Sequence, residues 1–270
     1  MALLEIACFS KESAILAYEA GADRIELCDN RDAGGTTPPS DWLDVLRGRV
    51  DIPIYVMIRS RGGNFTYSGA EFDEMKDSIR ELKSRAAGFV FGILDPQRNI
   101  DISRTTELVK LASPLPCTFH KAFDETPDLL AALGDVIDTG CSSILSSGGA
   151  SNALAGLGTL RQLVHMSERR ITIIPGGSLR ANNVAIIRSY TRASMFHSSG
   201  IPKGAKQPHP DEIEKMKTLL NEHETAALPP IDPPSPPMSR SSDDEGSISD
   251  MLNSAVSIGP DPKSRQGSGS

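Results

Sequence analysis

The chain has 270 residues, of which 39% are hydrophobic and 23% charged, and its formal net charge is −7. The apolar share suffices for a substantial core, whereas the negative charge excludes a broad electrostatic partnership with nucleic acid or anionic lipid, both of which need clustered Lys and Arg. No stretch approaches the roughly 20 apolar residues of a membrane span.

Short runs rich in β-branched residues alternate with longer amphipathic stretches, the signature of repeated βα units. In chain order the predicted strands are Leu3–Cys8, Arg24–Cys28, Ile54–Arg59, Gly88–Leu94, Leu115–His120, Ser143–Ser147, Ile171–Pro175 and Ser194–Ser198. The helices between them announce their ends. Ser68-Gly-Ala-Glu71 reads as a capping box; Thr126-Pro127-Asp128 reads as a capping hydroxyl, a first-turn proline and a first-turn acid; and Gly140 reads as a stop. Ile213, Met216, Leu219 and Leu220 recur at helical spacing and place the last helix over Pro210–His223. Eight strands alternating with eight helices in residues 1–223 predict a single α/β domain, a (β/α)8 TIM-type barrel in a compact form. From 224 to 270 the Pro-Pro and Ser-rich composition cannot bury enough apolar surface to offset the entropy of ordering, so a disordered C-terminal tail is expected.

In such a barrel the outward face of each strand meets apolar helices, so a charged residue in mid-strand marks the inward face. Glu5 thereby turns Leu3 and Ala7 inward, Glu26 does so for Arg24 and Cys28, and Arg59 for Tyr55 and Met57; His120 takes Thr118 with it and His197 takes Met195. The expected lumen is polar, with ion pairs of Glu5 and Glu26 with Arg24 and Arg59 that need no function beyond mutual compensation.

Several segments resemble one family: Ala20-Gly-Ala-Asp-Arg-Ile-Glu-Leu-Cys28, Gly34-Gly-Thr-Thr-Pro38, Val56-Met-Ile-Arg-Ser-Arg-Gly-Gly-Asn-Phe-Thr-Tyr-Ser68, Leu115-Pro-Cys-Thr-Phe-His-Lys-Ala-Phe-Asp124, Ser146-Ser-Gly-Gly-Ala150, Ile174-Pro-Gly-Gly177 and Phe196-His197. In this order they resemble the CutC copper homeostasis family across the whole predicted barrel. The resemblance implies a TIM-type barrel, a cytoplasmic protein (the nucleus stays open) and a role in copper homeostasis through copper binding. The absence of a basic-then-apolar leader at Met1-Ala-Leu-Leu-Glu-Ile6, and four dispersed cysteines (Cys8, Cys28, Cys117, Cys141), fit that compartment. The family usually places a cysteine two residues after the first-strand glutamate, where this chain has Ala7. Cys8 belongs to the opposite face, which argues against a two-thiol site pairing the first strand with Cys28.

Two chemistries compete at the strand ends. Thiol, thioether and imidazole donors suit Cu(I), and Cys28, Met57, His120 and His197 supply that mixture. Alternatively, an enzyme of lyase or isomerase type would bind a small phosphorylated or carboxylated molecule. Arg59 and Arg61 with Gly62-Gly63, Ser147-Gly148-Gly149 and Gly176-Gly177-Ser178 would then hold the anion, and His120, oriented by Asp124 and aided by Glu26, would carry protons. Lys121 follows the strand and is expected to point away from His120. A barrel that only presents surfaces to a partner is a third reading, and assembly into a homo-oligomer is left open.

Overall fold

The computed structural model describes residues 2–222; the tail expected from 224 onward lies outside them. Eight strands are present: β1 (Leu3–Cys8), β2 (Arg24–Leu27), β3 (Ile54–Met57), β4 (Gly88–Phe91), β5 (Cys117–Phe119), β6 (Ser143–Ser146), β7 (Thr172–Pro175) and β8 (Met195–Ser198). They alternate with α1 (Lys11–Glu19), α2 (Asp41–Leu46), α3 (Gly69–Leu82), α4 (Ile102–Ala112), α5 (Leu129–Thr139), α6 (Leu157–Met166), α7 (Val184–Thr191) and α8 (Pro210–Asn221). All ladders are parallel, in the order β7-β6-β5-β4-β3-β2-β1-β8, and β7 lies against β8, so the sheet curls into a (β/α)8 barrel.

Several strands stop short of their predicted ends. Ile58 still donates to the carbonyl of Val90, and His120 to that of Phe91, at 2.8 and 2.9 Å. The apolar pattern therefore runs on through residues that keep one cross-strand bond after the regular ladder has ended.

The helix ends show which local signals governed. Ser68 caps α3 with the reciprocal Glu71 bond, and Gly140 closes α5 in the left-handed conformation at φ 85°. The expected cap at Thr126 is corrected: Asp128 caps α5 by accepting from Leu130 and Ala131, while the Thr126 hydroxyl turns back to the carbonyl of Phe123 at 2.8 Å. The chain before α5 is a 3-10 turn over Lys121–Glu125, and Thr126 terminates that turn.

Side-chain parity divides the apolar residues into two environments. The large core, with Leu4, Ile6, Cys8, Ile25, Phe89, Phe119 and Phe196, lies between strands and helices. Two small clusters fill the lumen instead, one of Cys28, Tyr55, Met57 and Val90, the other of Leu145, Ile174 and Met195. Those clusters consist of inward residues, and Cys8, whose thiol lies 3.4 Å from the carbonyl of Ser13 at the head of α1, faces outward.

Candidate functional site

Strand register assembles the charged layer of the lumen. Glu5 is the ladder partner of Arg24 on β2 and of His197 on β8, so three inward side chains from adjacent strands stand side by side. Arg24 Nε donates to Glu5 Oε2 at 2.5 Å, and His197 Nδ1 lies 2.7 Å from Glu5 Oε1. Burial pushes the Glu5 carboxyl up, but the Arg24 guanidinium and the His197 ring outweigh it and leave the group below its ordinary value. Glu5 is therefore the anion that compensates this layer.

One step toward the strand ends, His197 Nε2 lies 3.9 Å from Glu26 Oε2, and the Cys28 thiol reaches the same oxygen at 3.6 Å. Burial raises the Glu26 carboxyl, with the Glu5 charge adding to it against the pull of His197. For His197 the desolvation acts downward, and the two glutamates overcome it and raise the ring's pKa. Burial and the neighbouring Glu26 hold the Cys28 thiol well above its ordinary value. One ligand atom each from Glu5, Glu26 and His197 lies within 4.8 Å of the others, a group compact enough to hold a metal ion.

Glu26, Cys28 and His197 line a cavity of about 250 Å³ at the carboxyl ends of the strands, together with Ala7, Met57, Arg59, Phe65, His120, Gly177 and Ser178, while Glu5 lies buried behind His197. His120 stands in its wall, 4.9 Å from the Phe65 ring, in space left by Gly92, where a Cβ would come within 2.5 Å of Nδ1. Its Nδ1 accepts from the amide of Ala122 at 3.2 Å, so the neutral ring carries its proton on Nε2. Burial and the Arg59 charge drive its pKa down to about 3. Nε2 of His120 and Oε1 of Glu26 are both buried without a hydrogen-bond partner, a donor and an acceptor left open in one cavity wall.

The remaining residues singled out by sequence fall elsewhere. Arg59 lines the cavity, but its guanidinium donates to the carbonyls of Ala33, Gly35 and Gly63 at 2.9, 3.2 and 2.7 Å. Arg61 stands outside it, bound to Glu71 at 2.6 Å and to the carbonyls of Gly62, Asn64 and Thr66. Gly62 packs against Ala33. Asp124 does not orient His120: it accepts from Ser146 Oγ, from the amide and hydroxyl of Ser147 and from the amide of Gly149, at 2.6 to 3.0 Å. The Ser147-Gly148-Gly149 loop thus holds an oxyanion, and that oxyanion is the chain's own carboxylate. Of the three glycine pairs expected to hold an anion, Gly176-Gly177 alone contributes to the cavity wall, through Gly177 with Ser178 after it, among the described residues.

Lys121, expected to point away, lines the cavity as well, because β5 ends at Phe119 and strand alternation does not carry through the 3-10 turn that follows. Phe65, Arg180, Ser198 and Ser199 also line the cavity and were not singled out by sequence. Arg180 comes two residues after the Gly176-Gly177-Ser178 turn that follows β7, and a cation close behind that turn was the available signal.

Comparison with known proteins agrees with this architecture. The model of the CutC family matches residues 2–202. A CutC family protein of Chromobacterium violaceum is 42% identical over 198 residues, covering 73% of this chain and 80% of its own. The human copper homeostasis protein cutC homolog is also 42% identical over 198 residues, covering 73% of this chain and 72% of its own. The crystal structure of the CutC protein from Streptococcus agalactiae superposes with a TM-score of 0.70 at 30% identity, over 74% of this chain and 99% of that one. With its barrel, the polar layer at its strand ends and these relatives, the chain belongs to the CutC family.

Proposed function

We propose that the protein serves copper homeostasis by binding Cu(I) at the mouth of the barrel, through Cys28 and His197, with Met57 and Glu26 beside them. The observation that carries this reading is the Glu5–His197 contact at 2.7 Å. A ligating imidazole typically gives its second ring N–H to a carboxylate, which fixes the tautomer and aims the other nitrogen. Glu5 does this at Nδ1 and leaves Nε2 facing the Cys28 and Glu26 side of the cavity.

The donor set fits the ion. Thiolate, thioether and imidazole prefer a soft cation, and Met57 packs in the same lumen cluster as Cys28. Glu26 Oε2, 3.6 Å from the thiol, is placed to receive its proton when the sulfur becomes a ligand. His120 joins the set only after its proton moves from Nε2 to Nδ1 with loss of the Ala122 bond, so it is the least favoured of the four donors. The copper named for the human relative adds to the same reading.

The test is copper-edge X-ray absorption on reduced protein loaded with Cu(I) and desalted. Mixed sulfur and nitrogen scattering that loses its sulfur component in Cys28→Ser is expected; an oxygen-only shell, or copper that does not survive desalting, contradicts the proposal. A second reading is favoured by the unpartnered Glu26 Oε1 and His120 Nε2. Those atoms suit a small substrate's polar groups, with Glu26, whose pKa is raised, as the proton carrier. Turnover abolished by Glu26→Gln while Cu(I) binding persists would separate it from the first.

A further inference from the structure

Beside the lumen lies a larger cavity of about 540 Å³ whose walls carry Arg31 from the loop after β2, Ser178 and Arg180 from the loop after β7, Lys203 from the loop after β8, and Glu212 and Lys215 from α8. Four cations thus face one carboxylate in a chain whose net charge is −7. That single carboxylate accepts from the amide of Ala181 at 2.8 Å and sets its charge against Arg180, which leaves Arg31, Lys203 and Lys215 in excess. Lys203 and Lys215 are exposed and form no ion pair among the described residues. A cluster of like charges costs free energy through self-repulsion, and an anion placed among them relieves it.

The walls are also fixed. Arg180 is held from both sides, Nη1 donating to Ser198 Oγ at 3.1 Å and Nη2 to Ser199 Oγ at 3.1 Å and the carbonyl of Ile201 at 2.7 Å. Ser178 keeps a left-handed backbone at φ 54°, behind Gly177 at φ 100°. A non-glycine residue pays about 1–2 kcal/mol for that conformation, and such residues concentrate where a binding surface needs a particular backbone shape. Ser178 and Arg180 line this cavity and the lumen cavity alike, so the two share a wall.

We infer that this basic vestibule binds the phosphate group of a small phosphorylated organic molecule, whose remainder extends over Ser178 and Arg180 toward the lumen. A phosphate carries about −1.5 to −2 at neutral pH, which matches several cations better than the single charge of a carboxylate. The residues that hold it are not those proposed for copper, so the two readings stand separately.

Calorimetric titration of the full chain with inorganic phosphate, at ionic strength matched with sodium chloride, tests the inference, with ribose 5-phosphate and ribose as further probes. Saturable binding of one phosphate per chain is expected, weakened at least about tenfold in Lys203→Ala/Lys215→Ala, with Cu(I) stoichiometry unchanged in that variant. Ribose 5-phosphate should bind more tightly than phosphate, and ribose not at all. No saturable phosphate binding, or equal binding in the double variant, overturns the site; ribose 5-phosphate binding no tighter than phosphate overturns its extension toward the lumen. Loss of Cu(I) binding in the lysine double variant contradicts the separation of the two sites, whereas failure of Cu(I) binding in the native chain bears on the copper reading alone.

Discussion

His197 Nδ1 lies 2.7 Å from Glu5 Oε1, while Oε2 of the same carboxylate accepts from Arg24 at 2.5 Å, so one buried anion on β1 serves the guanidinium of one neighbouring strand and the imidazole of the other. Removing it leaves Arg24 uncompensated in the lumen. Glu5→Gln is expected to cost about 3–5 kcal/mol of unfolding free energy, read from urea denaturation. In the fraction that stays folded, Cu(I) affinity should fall about 10–100-fold, because the imidazole is no longer held. An unchanged urea midpoint would mean that the pair compensates nothing.

Ala7 lines the cavity and Cys8 is buried in the outer core. Ala7→Cys should therefore add a second sulfur facing Cys28 and tighten Cu(I) binding. Cys8→Ala should leave Cu(I) affinity as it is and cost about 1 kcal/mol of stability. A competition titration with a Cu(I) chelator reads both, and the reverse ranking would contradict the assignment of faces.

His120 supplies a pH signature. Its folded pKa of about 3 lies below its ordinary 6.5. In that window the unfolded chain binds a proton that the folded chain refuses, so stability falls as pH drops from about 6.5 toward 3. The slope assignable to this ring is about 1.4 kcal/mol per pH unit. Glu5, with its lowered pKa, also loses stabilisation on the acid side, below the ordinary carboxylate value, whereas raised Glu26 and His197 act with the opposite sign. Urea midpoints measured from pH 4 to 7 should thus be flatter for His120→Gln than for the native chain; parallel curves would show a ring that titrates normally.

Asp124 receives hydrogen bonds from Ser146, Ser147 and Gly149. Asp124→Ala leaves those donors to a half-buried loop and should cost about 1–3 kcal/mol. The His120 titration followed by NMR should stay where it is, since the two side chains do not touch through a hydrogen bond. A displaced His120 pKa would restore an orienting role for Asp124.

How far the sequence reaches can be judged residue by residue. The barrel and the inward set of Glu5, Glu26, Cys28, Met57 and His197 follow from two-residue alternation, because a charge in mid-strand has only one tolerable face. The loops follow no such rule. Arg59 and Arg61 look alike beside Gly62-Gly63, yet one closes a cavity wall with three carbonyls and the other folds back on Glu71 of α3. Glu71 itself was legible as the capping-box acid, but its second bond depends on where the β3 loop lands. Likewise, Ser147-Gly148-Gly149 has the composition of an anion-binding turn, and only the tertiary structure shows that Asp124 already fills it. The roles of Lys121 and Arg180 were hidden because both lie beyond a strand end, Lys121 in the 3-10 turn after β5 and Arg180 five residues after β7, where alternation has stopped and turn geometry takes over.

The most direct test is an anaerobic titration of the reduced full chain with Cu(I), monitored against a competing chelator and repeated on Cys28→Ser and His197→Ala. The account predicts one tightly held Cu(I) per chain, lost in Cys28→Ser and weakened by at least about tenfold in His197→Ala. The same stoichiometry and affinity in all three proteins would place copper elsewhere and contradict a site at the barrel mouth.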